Sequence, residues 1–196
     1  VGGEPAGAGS GAPSPEGNQA MSPEVTAELA SHIRDIADFP EPGVVFKDIT
    51  PLLANGPALR SSVEALAAPF ADAGVSKVLG VEARGFILAA PVAATLGVGF
   101  VPVRKPGKLP WQVEHQEYEL EYGTDRLEIH RDAVAPGERV LIVDDVMATG
   151  GTAAATAALV ERLGGDVVGL SFLIELAFLN GRQLLPGHEI ATVITY

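Results

Sequence analysis

Two adjacent acids, Asp144 and Asp145, close the apolar run RVLIVDDV (139–146), and a turn without bulk follows at once: Ala148, Thr149, Gly150, Gly151, Thr152. Such small residues let an anion approach the backbone closely, and the two threonines add hydroxyl donors. A helix starting near Gly151 would add unpaired N–H groups and a partial positive charge, which suit a phosphate. Carboxylates repel phosphates, so the two acids need a different partner beside the anion. The turn is not a Walker loop, because G-x-x-x-x-G-K-[ST] is absent, and it is not a dinucleotide fingerprint, because G-x-G-x-x-G is absent.

Other chemically able residues cluster in three places. Glu82, Ala83 and Arg84 follow the apolar segment KVLGV. Arg104, Lys105 and Lys108 concentrate positive charge in a chain whose net charge is -12, which points to an anionic ligand. Glu117, Glu119 and Glu121 share one face of an alternating segment, with Tyr118, Leu120 and Tyr122 on the other. Spacing alone does not single out one of these glutamates. His32, His115, His130 and His188 form no metal-binding pattern, and Trp111 lies where it could cover a site or a partner surface.

The elements that must position these groups alternate. Val25, Leu29, Ile33 and Ile36 recur at helical spacing after Ser22 and Pro23, which predicts a helix ending before Pro40. A second helix is expected over 57–73. Strands are expected at 77–82, 99–105, 139–146, 166–176 and 188–196, with helices after 82 and after 150. Residues 106–116 lack a period and read as a long binding loop or lid. Residues 118–130 alternate on both sides of a Gly-containing turn and read as an antiparallel hairpin. The expected fold is α/β, a central and mostly parallel twisted sheet flanked by helices, with that hairpin inserted. In such sheets ligands bind beyond the carboxyl ends of the strands.

The bulk properties bound the function. A chain of 196 residues suits one sizeable core, here expected over 21–196, preceded by a flexible tail at 1–20 built of Gly, Ala, Pro and Ser. The acidic balance speaks against nucleic acid as a partner. There is no cysteine, which excludes disulfides, thiolate nucleophiles and Cys-based zinc sites. No run of about 18 apolar residues suggests a membrane partner, and the N-terminus lacks a signal-peptide pattern. A cytoplasmic enzyme is the expectation.

VLIVDDVMATGGT resembles the signature of the type I phosphoribosyltransferases, which bind 5-phosphoribosyl 1-pyrophosphate (PRPP). FPEPGVVFKDITPLL (39–53), GVEARGF (80–86), VRKPGKLP (103–110) and YELEYGTDRLEIH (118–130) are similar, in the same order, to segments of the adenine-specific members. The resemblance spans roughly Pro23 to Tyr196. It implies the type I phosphoribosyltransferase fold with the hairpin as a hood over the active site. It implies that amides of Ala148, Thr149, Gly150, Gly151 and Thr152 hold the 5′-phosphate, and that Asp144 and Asp145 face the ribose hydroxyls. Glu82, Ala83, Arg84, Lys105 and Lys108 would bind pyrophosphate, with a cis peptide expected at Glu82–Ala83. Many members have Asp-Ser at that dipeptide. Val45 and Lys47 would offer backbone groups to adenine, with Phe46 and Leu176 closing its two faces; Lys47 stands where the family often has Arg. Glu121 would be the catalytic acid carried by the hood, with Tyr122 beside it.

The implied reaction converts adenine and PRPP to AMP and pyrophosphate with Mg²⁺ held mainly by PRPP and water, in a homodimer. The alternatives are a phosphoribosyltransferase for another purine and a non-catalytic sensor of PRPP.

Overall fold

The computed structural model describes residues 22–119 and 124–196. The tail expected at 1–20, Glu121 and Tyr122 lie outside the described residues. In chain order the elements are α1 (Pro23–Ser31), β1 (Arg34–Ala37), β2 (Val45–Asp48), α2 (Thr50–Ala54), α3 (Gly56–Ala67), β3 (Lys77–Val81), α4 (Arg84–Leu96) and β4 (Gly99–Val103). The hairpin strands β5 (Val113–Glu119) and β6 (Thr124–His130) follow, then β7 (Arg139–Met147), α5 (Gly151–Arg162), β8 (Asp166–Glu175) and β9 (Ile190–Thr195).

The main sheet runs β4-β3-β7-β8-β9 and every pairing in it is parallel. From β3 the chain passes outward to β4 and then returns to β7 on the other side of β3. The carboxyl ends of β3 and β7 therefore flank the point where strand order reverses, the usual ligand site of an open α/β sheet. One core cluster joins α1 to α4 through Leu29, Leu52, Leu66, Phe70 and Leu88. The other packs α5 and the hairpin through Leu159, Val160, Leu127 and Ile129. Both clusters include β7 residues, which explains why that strand reads as a continuous apolar run.

The N-terminal expectation is corrected. The helix stops at Ser31, and Ile36 belongs to strand β1, directly opposite Phe46 of β2. The helical period of Ile33 and Ile36 is overridden by cross-strand pairing. Arg34 lies opposite Asp48 and Asp35 opposite Lys47, joined by ion pairs of 2.6 and 2.8 Å. The helix expected over 57–73 starts a residue earlier and is shorter. Asn55 caps α3 by accepting from the Ala58 amide at 3.1 Å, and a tighter 3-10 turn over Ala68–Phe70 replaces its last stretch around Pro69. The loop expected over 106–116 is shorter too, because the hairpin pairs back to Val113.

Helix and sheet meet closely at Gly169 of β8. A Cβ there would overlap the ring of Phe70, which is 1% exposed. Gly169→Ala is expected to cost about 1–3 kcal/mol in urea unfolding. Combined with Phe70→Leu it should cost less than the two single changes added together; strict additivity would contradict this packing.

Candidate active site

At the carboxyl ends of β3, β7 and β8 three cavities adjoin. The smallest, about 70 Å³, lies against Asp144, Met147 and the turn Ala148, Thr149, Gly150, Gly151 and Thr152. The second, about 210 Å³, is lined by Glu82, Ala83, Arg84, Lys105, Asp144, Asp145 and Thr152. The third, about 240 Å³ and mostly apolar, is lined by Val44, Val45, Phe46, Lys47, Arg84, Ala148 and Leu176. Val146 lines all three, so they meet at one strand residue.

The first cavity is a backbone cradle. Gly150 takes a left-handed φ of 86° just ahead of α5, which turns the chain so that the helix N-terminus faces the cavity wall. Thr152 Oγ1 lies 3.4 Å from the Tyr118 hydroxyl of the hairpin, tying the cradle to β5.

The acids sit where β7 ends. Asp145 is 4% exposed, and its Oδ2 is 2.7 Å from Arg84 Nε. That oxygen is buried and accepts no well-aligned hydrogen bond among the described residues. Asp144 Oδ1 accepts from the Asp145 amide at 2.9 Å. A Cβ on Gly85 would collide with that oxygen, so only glycine lets α4 approach the acid so closely. Burial, and then the Asp145 charge, push the Asp144 carboxyl well above its ordinary range. The pair therefore resists carrying two full negative charges, which eases its coexistence with an anionic ligand.

The expected cation cluster is a network already neutralised by acids. Glu82 follows β3 and is joined to Ala83 by the expected cis peptide. Its carboxylate lies 2.5 Å from Lys108 Nζ and 3.2 Å from Arg104 Nε, and it accepts from the Lys105 amide at 3.1 Å. Glu128 of β6 accepts from the Gly107 amide at 2.9 Å, so two carboxylates hold this loop. Lys105 Nζ binds Asp125 of β6 and lies 3.1 Å from the Tyr118 hydroxyl. Lys105 borders the second cavity, whereas Lys108 borders none of the three and is held at its rim by Glu82. Desolvated cations without an anion nearby would be costly, and these acids offset that cost.

In the apolar cavity the Lys47 ammonium is directed to Asp35, at 2.8 Å, and over the Tyr196 ring, at 3.7 Å. The lysine charge is satisfied on its own hairpin. Phe46 is fixed by an edge contact with Phe39, ring centroids 5.2 Å apart, and by the Arg84 guanidinium 5.1 Å from its ring centroid. Trp111 stands 55% exposed beside His130, away from the three cavities.

Sequence reasoning missed Val44, Val146, Tyr118 and Asp125. Val146 could have been found, since it alternates onto the strand face of Asp144. Tyr118 and Asp125 are directly opposite in the hairpin register, and the Gly-containing turn alone does not fix that register from the sequence.

Comparison with known proteins follows the same lines. A sequence model of the phosphoribosyl transferase domain matches residues 53–183. The chain is 56% identical to the adenine phosphoribosyltransferase of Thermobifida fusca over 175 residues, covering 89% of this chain and 99% of the relative. The crystal structure of the Rhodothermus marinus adenine phosphoribosyltransferase superimposes with a TM-score of 0.85 at 55% identity, covering 88% and 99% of the two chains. The Saccharomyces cerevisiae adenine phosphoribosyltransferase, crystallised with an imino-altritol bisphosphate and adenine, superimposes at 0.83 and 38% identity, covering 87% and 98%.

Glu82 gives this site an acid signature. Hydrogen bonding from Lys108, against the opposing effect of burial, and then from Arg104 and the Lys105 amide, holds its carboxyl at about 2 instead of 4.5. A depressed folded-state value stabilises above the unfolded value and is lost as pH falls through the folded one. Urea melts from pH 5 down to about pH 2 should therefore show a stability loss that is smaller in Glu82→Gln; equal slopes would contradict the assigned network.

Proposed function

We propose, because the chain belongs to the phosphoribosyltransferase family and stands among its adenine phosphoribosyltransferases, that it converts adenine and PRPP to AMP and pyrophosphate in purine salvage. The observation that carries this reading is the meeting of the three cavities at Val146: a backbone phosphate cradle, a pocket walled by acids and cations, and an apolar slot. Their chemistry matches, in order, a 5′-phosphate, a ribose bearing pyrophosphate, and a flat base.

Adenine lies in the slot between Phe46 and Leu176, with backbone groups of Val45 and Lys47 at its edge. Ala148 to Thr152 hold the 5′-phosphate. Asp144 and Asp145 accept from the ribose hydroxyls. Arg84 borders both the acid pocket and the slot, so it flanks the junction where C1′ meets the base. The N9–C1′ bond forms as the C1′–oxygen bond to pyrophosphate breaks, and pyrophosphate leaves with that electron pair. The transition state is oxocarbenium-like, as in other glycosyl transfers. Glu121 takes up the purine proton, and the hood keeps water from C1′.

Asp144 and Asp145 are hard oxygen donors on the wall of the acid pocket, the type of group Mg²⁺ meets alongside substrate phosphates. Bound with PRPP, Mg²⁺ supplies charge neutralisation on the pyrophosphate. Lys105 and Lys108 exchange their carboxylate partners for pyrophosphate oxygens, with the Glu82–Ala83 turn backbone and Arg84 beside them. Among the described residues no helix is long and apolar enough to cross a membrane, and the reading places the enzyme in the cytoplasm. The assembly proposed is a homodimer, for which Phe39 and Ile87 offer exposed apolar surface.

The test is purified protein with PRPP, Mg²⁺ and adenine, hypoxanthine or guanine, scored for nucleotide and pyrophosphate. AMP from adenine alone is expected, and Glu121→Gln should lower kcat by about 10²-fold or more. Turnover of another base would overturn the base assignment, and PRPP binding without turnover would favour the sensor. Chelating Mg²⁺ should abolish turnover.

A further inference from the structure

The phosphate cradle does not stand alone. Its back rests on a segment further along the chain, at Gly181. A Cβ built on Gly150 would run into the Gly181 carbonyl oxygen, and one built on Gly181 would run into the Ala148 carbonyl oxygen and lie 3.0 Å from the Gly150 nitrogen. Gly150 also has a left-handed φ, so two reasons demand glycine there. Gly181 lies outside the left-handed range, so only the close approach of the two backbones demands it.

The next residue locks the segment in place. Arg182 Nε and Nη2 reach the two carboxylate oxygens of Glu175, each at 2.7 Å, and Nη1 donates to the Ile190 carbonyl at 3.2 Å. Glu175 is 7% exposed and lies directly opposite Met147, the last residue of β7 before the cradle. The Leu176 amide, next in the chain, donates to the Met147 carbonyl at 2.9 Å. The contacts therefore close a ring: Met147 and Ala148, across to Gly181, along to Arg182, through the forked ion pair to Glu175, and back by the ladder to Met147. Asn180, with φ of 55°, makes the turn that brings Gly181 against Ala148.

We propose that Gly181 and Arg182 are positioning residues for the 5′-phosphate cradle: the forked Arg182–Glu175 pair presses the Gly181 backbone against Ala148 and Gly150 and so fixes where the cradle amides point. The proposal rests on the reading of that turn as the PRPP phosphate site. Among the described residues the cradle's own side chains offer it only the 3.4 Å contact of Thr152 Oγ1 with Tyr118, and amide donors lose their value when displaced by a fraction of an ångström. A bidentate guanidinium pair on a nearly buried carboxylate supplies a stiff external support.

The experiment compares Gly181→Ala, Arg182→Lys and Arg182→Ala with the parent protein and with Gly56→Ala, a control whose Cβ would meet nothing within 4 Å. Steady-state kinetics give KM for PRPP and for adenine separately, and calorimetry gives the affinity for ribose 5-phosphate, which needs the cradle but no base or catalysis. Gly181→Ala is expected to raise KM for PRPP and weaken ribose 5-phosphate binding about 10- to 100-fold, with KM for adenine changed by less than about threefold. Arg182→Lys keeps the charge but loses the fork, and should show the same split at several-fold, with Arg182→Ala larger. A folded Gly181→Ala that binds ribose 5-phosphate like the parent overturns the proposal, as does an equal rise for both substrates. Should Gly181→Ala fail to fold, the Arg182→Lys split decides by the same criteria. Failure of the functional reading looks different: a parent protein that binds ribose 5-phosphate but makes no nucleotide would sink the reading, while the calorimetric comparison still decides this one.

Discussion

Two adjacent carboxylates at the end of β7, one of them nearly buried, are the constraint to which the rest of the ligand end answers. Two like charges so close, partly out of water, cannot both be held without compensation. Arg84 supplies it, at 2.7 Å from Asp145, and Arg84 is in place because it opens α4. That helix reaches β7 only because Gly85 has no Cβ to strike Asp144. On the neighbouring strand of the sheet, Gly80 of β3 makes similar room, since a Cβ there would lie 2.6 Å from that of Ala89. Glycines thus set the approach of helix to sheet, the helix sets the arginine, and the arginine makes the acid pair tenable.

The same logic extends outward. The loop after β4 carries three cations, and each has a carboxylate partner: Glu82 for Arg104 and Lys108, Asp125 for Lys105. An anionic substrate would enter by exchanging partners instead of meeting bare charge. Exchange conserves most of the electrostatic interaction at every stage, so a strongly charged site can exist on a strongly acidic protein without large unfavourable fields. It also links the parts that must act together. Lys105 reaches the hairpin through Asp125 and Tyr118, and Tyr118 reaches the turn ahead of α5 through Thr152.

Much of this was legible in the sequence, for identifiable reasons. The strand, acids, turn and helix over 139–162 are local, and each step carries its own signal: a continuous apolar run, then small residues, then a helical stretch. Arg34–Ala37 was not legible, because two isoleucines three apart satisfy a helical period as readily as a strand. What decides is pairing with Val45–Asp48, confirmed by charges of opposite sign in register. Lys47 was placed at the base slot by its motif, but the destination of its ammonium depends on Asp35 and Tyr196, brought near only by folding. Lys105 and Lys108 were legible as cations and illegible as partners of particular acids. Charge type is a property of the residue, whereas pairing is a property of the fold.

Gly181 marks the limit of that legibility. A glycine beside an arginine reads as a turn, and nothing in its neighbourhood mentions Ala148 or Gly150. Its requirement arises from backbone meeting backbone far along the chain, an interaction with no side chain to announce it. Recognition by main-chain amides has this general consequence: the residues in contact with ligand are chosen for being small, and the specificity of their placement is exported to others. On the proposed reading it is exported to Glu175 and Arg182, whose charges are spent on each other. The ion pair is informative because it is internally complete. A forked pair at the end of a strand, beside a loop built mostly of residues too small to brace it, stiffens what the loop holds only weakly for itself.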